Sequence, residues 1–103
     1  MSSPQPDDPP NAPGAVTRVM KIVNEKGLHA RASAKFVQTV EKFDAAVRVS
    51  RNGESVGGDS IMGLMMLAAG IGTSITVTAT GLEAQDVIAA LDALVSSRFG
   101  EEE

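Results

Sequence analysis

Alternating and helically spaced apolar residues divide most of this chain into seven segments. Four runs rich in β-branched residues predict strands, at residues 16–23, 46–50, from 55 onward, and 73–79. Three runs with apolar residues at helical spacing predict helices, at residues 30–42, at 61–68, and around the stripe Val87, Ile88, Leu91, Leu94 and Val95. The resulting order, β-α-β-β-α-β-α, predicts one α+β domain whose helices cover one face of a mainly antiparallel sheet.

Turn residues mark the borders of several predicted elements. Asn52-Gly53 lies between the second and third strands, and an Asn-Gly pair at this place is typical of a two-residue β-hairpin. The run Gly-Gly-Asp-Ser interrupts the chain before the second helix, so Ser60 or Asp59 is expected to cap that helix. Gly70 and Gly72 follow it, and we expect them to close the helix, because glycine readily adopts the left-handed conformation that ends many helices.

Length and composition limit the chain to one small domain. It has 103 residues, of which 43% are hydrophobic but only 3% aromatic, so aliphatic side chains must fill the core. A net charge of −4 and a pI near 4.9 argue against a surface that binds nucleic acid. The absence of cysteine excludes disulfides and thiolate chemistry, and no cluster of histidines and carboxylates has metal-ligand spacing. We therefore expect neither a metal nor another cofactor.

The two ends of the chain differ from the part between them. All five prolines lie in residues 1–14, which we expect to form a disordered tail. Residues 15–99 form the predicted domain, and residues 100–103 are expected to be a solvated acidic tail. The first residues lack the basic and apolar stretches of a signal peptide, and no apolar run is long enough to cross a bilayer. These features predict a cytoplasmic protein that does not bind membranes, and a monomer is the default expectation.

The one histidine of the chain, His29, is the first candidate for chemistry. It lies in a Gly-Leu-His-Ala-Arg run directly before the first predicted helix. The first backbone N–H groups of a helix have no partner within it, so those of Ala30 and Arg31 form a site for an anion. A guanidinium binds phosphate oxygens in a bidentate manner, so the presence of Arg31 favours the interpretation that His29 carries a phosphoryl group. The alternative is a structural histidine that caps the helix or is partly buried.

The short second helix is a candidate surface for a partner. It contains three methionines within five residues, which is more than a helix of this length can bury. Methionine stripes commonly belong to the core, but methionine also adapts to several partners because its side chain is flexible and polarizable. We expect Leu64 and Leu67 to face inward, and Ile61, Met62 and Met65 to form an exposed interface.

These two segments together resemble a known family. Gly27-Leu28-His29-Ala30-Arg31, followed about thirty residues later by Ser60-Ile61-Met62-Gly63-Leu64-Met65, is similar to HPr, the histidine-containing phosphocarrier protein of the bacterial phosphoenolpyruvate-dependent phosphotransferase system. The resemblance covers residues 16–99. It implies an open-faced β-sandwich, in which three helices cover one face of a four-stranded antiparallel sheet. The low aromatic content, the Ala-Ser-Ala-Lys run and the acidic tails are similar to the nitrogen-related branch, NPr.

The resemblance also implies a role for each candidate residue. His29 would be phosphorylated on Nδ1 by the phosphorylated form of enzyme I, and would pass the group to an enzyme IIA-type or IIB-type protein. Arg31 and the N–H groups of Ala30 and Arg31 would bind the phosphoryl oxygens. Ser60 matches the serine that an ATP-dependent HPr kinase/phosphatase modifies in some bacteria. The protein would be a carrier rather than an enzyme.

The chain departs from the family pattern at two positions. Ala32 replaces a proline of most members, which predicts a softer first turn of the helix. Asp59 stands beside Ser60 where many members have lysine, and its carboxylate would repel an added phosphate.

A small-molecule-sensing α+β module would account for the methionines but not for His29 beside Arg31. A non-catalytic interaction module of the same fold, without phosphotransfer, is the other alternative.

Overall fold

The predicted order of strands and helices is confirmed by a computed structural model, which describes residues 14–101. Four strands are present, β1 (Val16–Lys21), β2 (Ala46–Arg51), β3 (Glu54–Gly57) and β4 (Ser74–Thr80). Three helices accompany them, α1 (Ala30–Val40), α2 (Ile61–Met66) and α3 (Ala84–Ser96), and a short 3-10 turn follows at Arg98–Gly100. Residues 1–13 of the predicted tail at 1–14, and the last two glutamates, lie outside the described residues.

The four strands form one antiparallel sheet in the order β1-β4-β2-β3. Along β4, Ile75, Val77 and Ala79 are buried on the face toward the helices and alternate with threonines, as the two-residue period of a strand requires. On the opposite face, the hydroxyl oxygens of Thr17 and Thr78 lie 3.2 Å apart across neighbouring strands. Among residues 14–101, the helices pack on the first of these faces, so the predicted open-faced β-sandwich is confirmed.

One hydrophobic core lies between the sheet and the helices. Helices α1 and α3 supply side chains that recur at helical spacing, namely Phe36, Val37, Val40, Val87, Ile88, Leu91 and Val95. In and after α2, Leu64 and Leu67 are buried, as predicted. Burial of one such side chain contributes about 1.5–3 kcal/mol, so this packing determines where the start of α1 lies relative to α2.

The turns agree with the sequence in one place and disagree in another. Asn52 and Gly53 both have positive φ, of 52° and 83°, and form the predicted hairpin turn between β2 and β3. The prediction that Gly70 and Gly72 close the second helix is wrong. Helix α2 ends at Met66, and the left-handed residue behind it is Ala68, with φ of 51°. The flanking Leu67 and Ala69 are both buried, so the chain must turn into the core before it reaches the glycines.

Candidate functional site

His29 is the residue that precedes the first turn of α1. Its backbone is extended, with φ of −71° and ψ of 179°, and its carbonyl accepts a hydrogen bond from the N–H of Ser33 at 2.9 Å. His29 is thus the N-cap residue of α1 and is partly buried, as the structural alternative expected, but its imidazole makes no capping hydrogen bond to the helix. The N–H groups of Ala30 and Arg31 belong to the first turn and have no partner within the helix.

A tight loop holds His29 in this place. Gly27 has φ of +62°, and a Cβ there would collide with the carbonyl oxygen of Ala69 and lie 2.9 Å from Cα of Gly70. The neighbouring Leu28 is buried, and its N–H donates to the same Ala69 carbonyl at 3.0 Å. Nδ2 of Asn24 donates to the carbonyl of Gly27 at 2.9 Å from within the loop. The loop therefore ties the start of α1 to the segment that follows α2.

A cleft of about 520 Å³ opens beside the imidazole and contains three cationic side chains. It is lined by Glu25, Lys26, His29, Ala30, Arg31, Lys35, Gly100 and Glu101. The structure thus brings Arg31 to His29 as predicted, but our sequence interpretation missed Lys26 and Lys35. Lys35 follows Arg31 by four residues, a spacing that places both side chains on one face of a helix, so its sequence position carried a signal.

Glu101 lines the cleft, although the sequence predicted a solvated acidic tail at this position. Its Oε2 accepts a hydrogen bond from Nε2 of His29, and its Oε1 accepts one from Nδ2 of Asn24 at 3.2 Å. Only 14% of the Glu101 side chain is exposed, so the prediction of a solvated acidic tail is wrong at this residue. No local pattern pointed to the contact, because Glu101 lies 72 residues from His29 in the sequence.

The ionised form of Glu101 is favoured in this environment. Burial acts to raise the pKa of the Glu101 carboxyl, because a shielded carboxylate loses hydration. The hydrogen bonds from His29 and Asn24, together with the positive charge of Lys26, outweigh that effect and hold the pKa below its ordinary value. Glu101 is therefore an anion at neutral pH and acts on His29 only as a hydrogen-bond acceptor.

The exposed apolar surface of α2 lies next to the histidine cleft. Ile61, Met62 and Met65 are 40%, 74% and 43% exposed, as predicted, and Met66 is exposed beside them. Met65 and His29 line the same shallow groove of about 300 Å³. We call Ile61, Met62, Met65 and Met66 the α2 patch. The α2 patch is therefore an exposed apolar surface that reaches the imidazole at Met65.

Ser60 caps α2 at the end away from His29. Its Oγ accepts a hydrogen bond from the N–H of Gly63 at 2.9 Å, which decides between the two predicted caps in favour of Ser60 rather than Asp59. A helix rises 1.5 Å per residue, so Ser60 lies roughly 7–8 Å along α2 from Met65. Ser60 therefore borders the α2 patch and is not among the residues that line the histidine cleft.

Two further properties concern the described part of the chain as a whole. Within residues 14–101, no three histidine, aspartate or glutamate side chains are grouped so that they could hold a metal ion. In the same range, no helix is both long and apolar enough to cross a membrane. A partly buried imidazole beside a helix N-terminus and three cations is the arrangement of a site that handles an anion.

Comparison with known proteins identifies the class of anion chemistry. Residues 16–97 match the family model described as the PTS HPr component phosphorylation site. The chain is 52% identical over 82 residues to the phosphocarrier protein HPr of Cupriavidus necator, a match that covers 80% of this chain and 92% of that protein. It is 48% identical over 83 residues to HPr of Pseudomonas aeruginosa, which covers 80% and 92% of the two chains.

Solved structures agree with this relationship. The crystal structure of HPr-C-His from Thermoanaerobacter tengcongensis has a TM-score of 0.81 and 39% sequence identity, and the match covers 85% of this chain and 99% of that one. HPr from Bacillus anthracis has a TM-score of 0.76 at 39% identity and covers 82% and 99%. The fold and the comparisons thus define a small α+β phosphoryl carrier. The chain belongs to the HPr family and is a phosphocarrier of the bacterial phosphotransferase system.

Proposed function

We propose that His29 is the residue that carries the phosphoryl group. It accepts the group on Nδ1 from the phosphorylated form of enzyme I, which is charged from phosphoenolpyruvate, and passes it to a histidine or cysteine of an enzyme IIA-type or IIB-type protein. The observation that carries this proposal is the position of the ring. It precedes the first turn of α1, is 26% exposed, and opens on a cleft with the cations Lys26, Arg31 and Lys35.

Catalysis of phosphoryl transfer depends mainly on positioning of the reacting groups and on electrostatic stabilisation of the transition state. Arg31 contacts the phosphoryl oxygens and offsets the negative charge of the transition state. The N–H groups of Ala30 and Arg31 point out of the helix start, where an anion gains roughly 0.3–1 kcal/mol from the helix dipole. Neither a metal nor another cofactor takes part in this scheme, and the chain acts as a carrier between enzymes rather than as an enzyme itself.

The α2 patch is the docking surface in this proposal. Methionine side chains adapt to differently shaped partners, so one surface serves the donor and the acceptor in turn. Because the same patch binds both, their binding is mutually exclusive, and a modest, preformed interface permits rapid release. We further propose that the protein works as a cytoplasmic monomer of the NPr-like branch, whose output is either sugar transport or nitrogen and potassium regulation.

The direct test is incubation of the protein with enzyme I and phosphoenolpyruvate. Phosphate that is acid-labile and base-stable, mapped to His29 by mass spectrometry, is the expected product. A non-catalytic interaction module of the same fold takes up no phosphate under these conditions. Omission of enzyme I is the control, because phosphoenolpyruvate alone should not modify the imidazole. Phosphate found on another residue contradicts the proposal.

Replacing Arg31 with alanine is expected to slow phosphoryl transfer by about 10–100-fold, because one charge-assisted contact of about 1.5–3 kcal/mol is lost. Single-turnover rates of transfer from phosphorylated enzyme I measure the effect. Arg48→Ala is the matched control. Arg48 donates to Ser55 and is absent from the residues that line the histidine cleft, so its loss should leave the rate unchanged. Equal rates for Arg31→Ala and Arg48→Ala would remove Arg31 from the mechanism.

Phosphorylation of Ser60 by an HPr kinase/phosphatase is the regulation that we propose. A phosphate adds a charge of about −1.5 to −2 beside the α2 patch, and Asp59 adds to the repulsion of an apolar or acidic partner. Ser60→Asp should therefore keep its thermal midpoint and accept phosphate from enzyme I roughly three- to tenfold more slowly, through weaker binding. Ser60→Asn caps the helix without a charge and is the control. Equal binding by the two variants would exclude a switch by charge.

A further inference from the structure

A glutamate from the end of the described chain is bonded to the imidazole of His29. Oε2 of Glu101 accepts a hydrogen bond from Nε2, and Oε1 accepts one from Asn24 at 3.2 Å. The side chains of His29 and Glu101 are 26% and 14% exposed, so water competes little for their contact. We call these three residues the Asn24–Glu101–His29 triad. The roles of His29, Ala30 and Arg31 do not explain why a carboxylate lies in a cleft that receives an anionic phosphoryl group.

Asn24 is oriented so that it can hold Glu101. Its side chain is fully buried, and Nδ2 donates both to Glu101 and to the carbonyl of Gly27 at 2.9 Å. A carbonyl and a carboxylate can only accept, which directs the amide nitrogen, and not Oδ1, toward both of them. Among residues 14–101, Oδ1 of Asn24 has no hydrogen-bond partner, although it is buried. The fold thus tolerates an unsatisfied oxygen, which is costly, while Asn24 donates to Glu101.

The backbone before Glu101 is bent so that its side chain reaches the cleft. Arg98, Phe99 and Gly100 have φ of 61°, 55° and 72°, three consecutive left-handed residues of which two are not glycine. The ring of Phe99 is buried in the core, and its carbonyl accepts a hydrogen bond from Nζ of Lys35 at 2.6 Å. Such a conformation persists only where the surroundings hold it, and here the anchored Phe99 places Glu101 against His29.

We infer that Glu101 is a positioning residue that keeps the proton of His29 on Nε2 and leaves the lone pair of Nδ1 free to attack phosphorus. Because a carboxylate only accepts, Nε2 is the nitrogen that donates. In a neutral imidazole, the other nitrogen then has no proton. Carboxylates fix the tautomer and orientation of histidines in the same way at metal sites and in hydrolases. This inference rests on the proposed function of His29 and adds the residues that prepare it.

The transfer then needs no movement of a proton. Nδ1 of His29 forms a bond to phosphorus, the bond between phosphorus and the donor breaks, and its electron pair goes to the donor. The ring now has a phosphoryl group on Nδ1 and a proton on Nε2, and its positive charge faces the carboxylate of Glu101. In onward transfer the P–N bond breaks, its electron pair returns to Nδ1, and His29 leaves as a neutral imidazole. Glu101 stabilises the charged ring that forms when the group is accepted, and it keeps Nε2 protonated when the group leaves.

The test compares Glu101→Gln with Glu102→Gln, which removes the same charge one residue further along. In the unphosphorylated proteins, ¹⁵N NMR of the ring shows which nitrogen has the proton. We expect it on Nε2 in the wild type and in Glu102→Gln. In Glu101→Gln an amide N–H can donate to Nε2, so the form protonated on Nδ1 should increase. Single-turnover transfer from phosphorylated enzyme I should then fall roughly 10–100-fold in Glu101→Gln alone.

Several results would overturn the inference. An unchanged tautomer in Glu101→Gln shows that Glu101 does not place the proton. A rate equal to that of the wild type shows that the tautomer does not matter for transfer, and a faster rate shows that Glu101 obstructs the cleft. If wild-type His29 takes up no phosphate at all, the proposed function fails instead, and the ring spectra still decide whether Glu101 places the proton. Thermal midpoints verify that both variants are folded.

Discussion

Replacing His29 with alanine is expected to abolish phosphoryl transfer while the protein remains folded. The chain contains no other histidine, so no second imidazole can take over. The ring is only partly buried, it does not cap α1, and its hydrogen bond to Glu101 is the contact that the substitution removes. Removing the ring opens Glu101 to the water of the cleft, so the loss should be near the lower end of the range of about 1.5–3 kcal/mol for a hydrogen bond to a charged group, and the thermal midpoint should fall by roughly 6–12 °C.

The experiment combines two measurements on the same samples. Labelled phosphoenolpyruvate and enzyme I report on phosphate uptake, and circular dichroism follows thermal unfolding of the wild type and of His29→Ala. The Arg48→Ala protein, altered away from the cleft, should take up phosphate at the normal rate. A His29→Ala protein that still accepts acid-labile phosphate would defeat the carrier role of this residue. A large loss of stability would instead show that His29 is structural.

Replacing Gly27 with alanine is expected to have the largest effect on stability among the site variants, a loss of about 3 kcal/mol in the free energy of unfolding. Two causes add. A Cβ is strained at φ of +62°, and it would collide with the backbone of Ala69 and Gly70, which cannot move aside as a side chain can. For a domain of this size, such a loss lowers the thermal midpoint by roughly 10–20 °C.

Gly72→Ala is the matched control for this prediction. Gly72 also has a positive φ, of +85°, but an added Cβ there meets no atom within 4 Å. Its substitution should cost only the conformational strain, about 1–2 kcal/mol. The difference between the two variants in chemical or thermal unfolding therefore measures the packing of the His29 loop against the segment after α2. Equal losses would show that this packing does not hold the loop.

The elements of the fold are predictable because each depends on residues close together in the sequence. The alternation at residues 73–79 predicted a strand, and β4 occupies Ser74–Thr80. The Asn52-Gly53 pair predicted a tight hairpin because both residues tolerate positive φ, and Ser60 caps α2 through a hydroxyl only three residues from its partner. Such interactions are local, so the order and approximate bounds of the elements could be read without a structure.

The end of α2 was not predictable in the same way. Glycine is the usual residue behind a helix, and this chain has Gly70 and Gly72 nearby. The structure places the left-handed turn at Ala68 instead, since Leu67 and Ala69 on either side are buried. Core packing outweighs the preference of alanine for other conformations at that position. The position of the left-handed turn depends on contacts with distant elements of the fold, and a local sequence pattern does not show such contacts.

The sequence by itself determined that His29 stands at the start of a helix beside Arg31, and its two motifs led to the family that the comparisons confirm. Only the tertiary structure decided what holds the imidazole. Glu101 reaches it from 72 residues away, and it does so because a buried Phe99 keeps the preceding backbone in a left-handed turn that it would not adopt alone. Long-range burial, rather than any local preference, brings that carboxylate to His29.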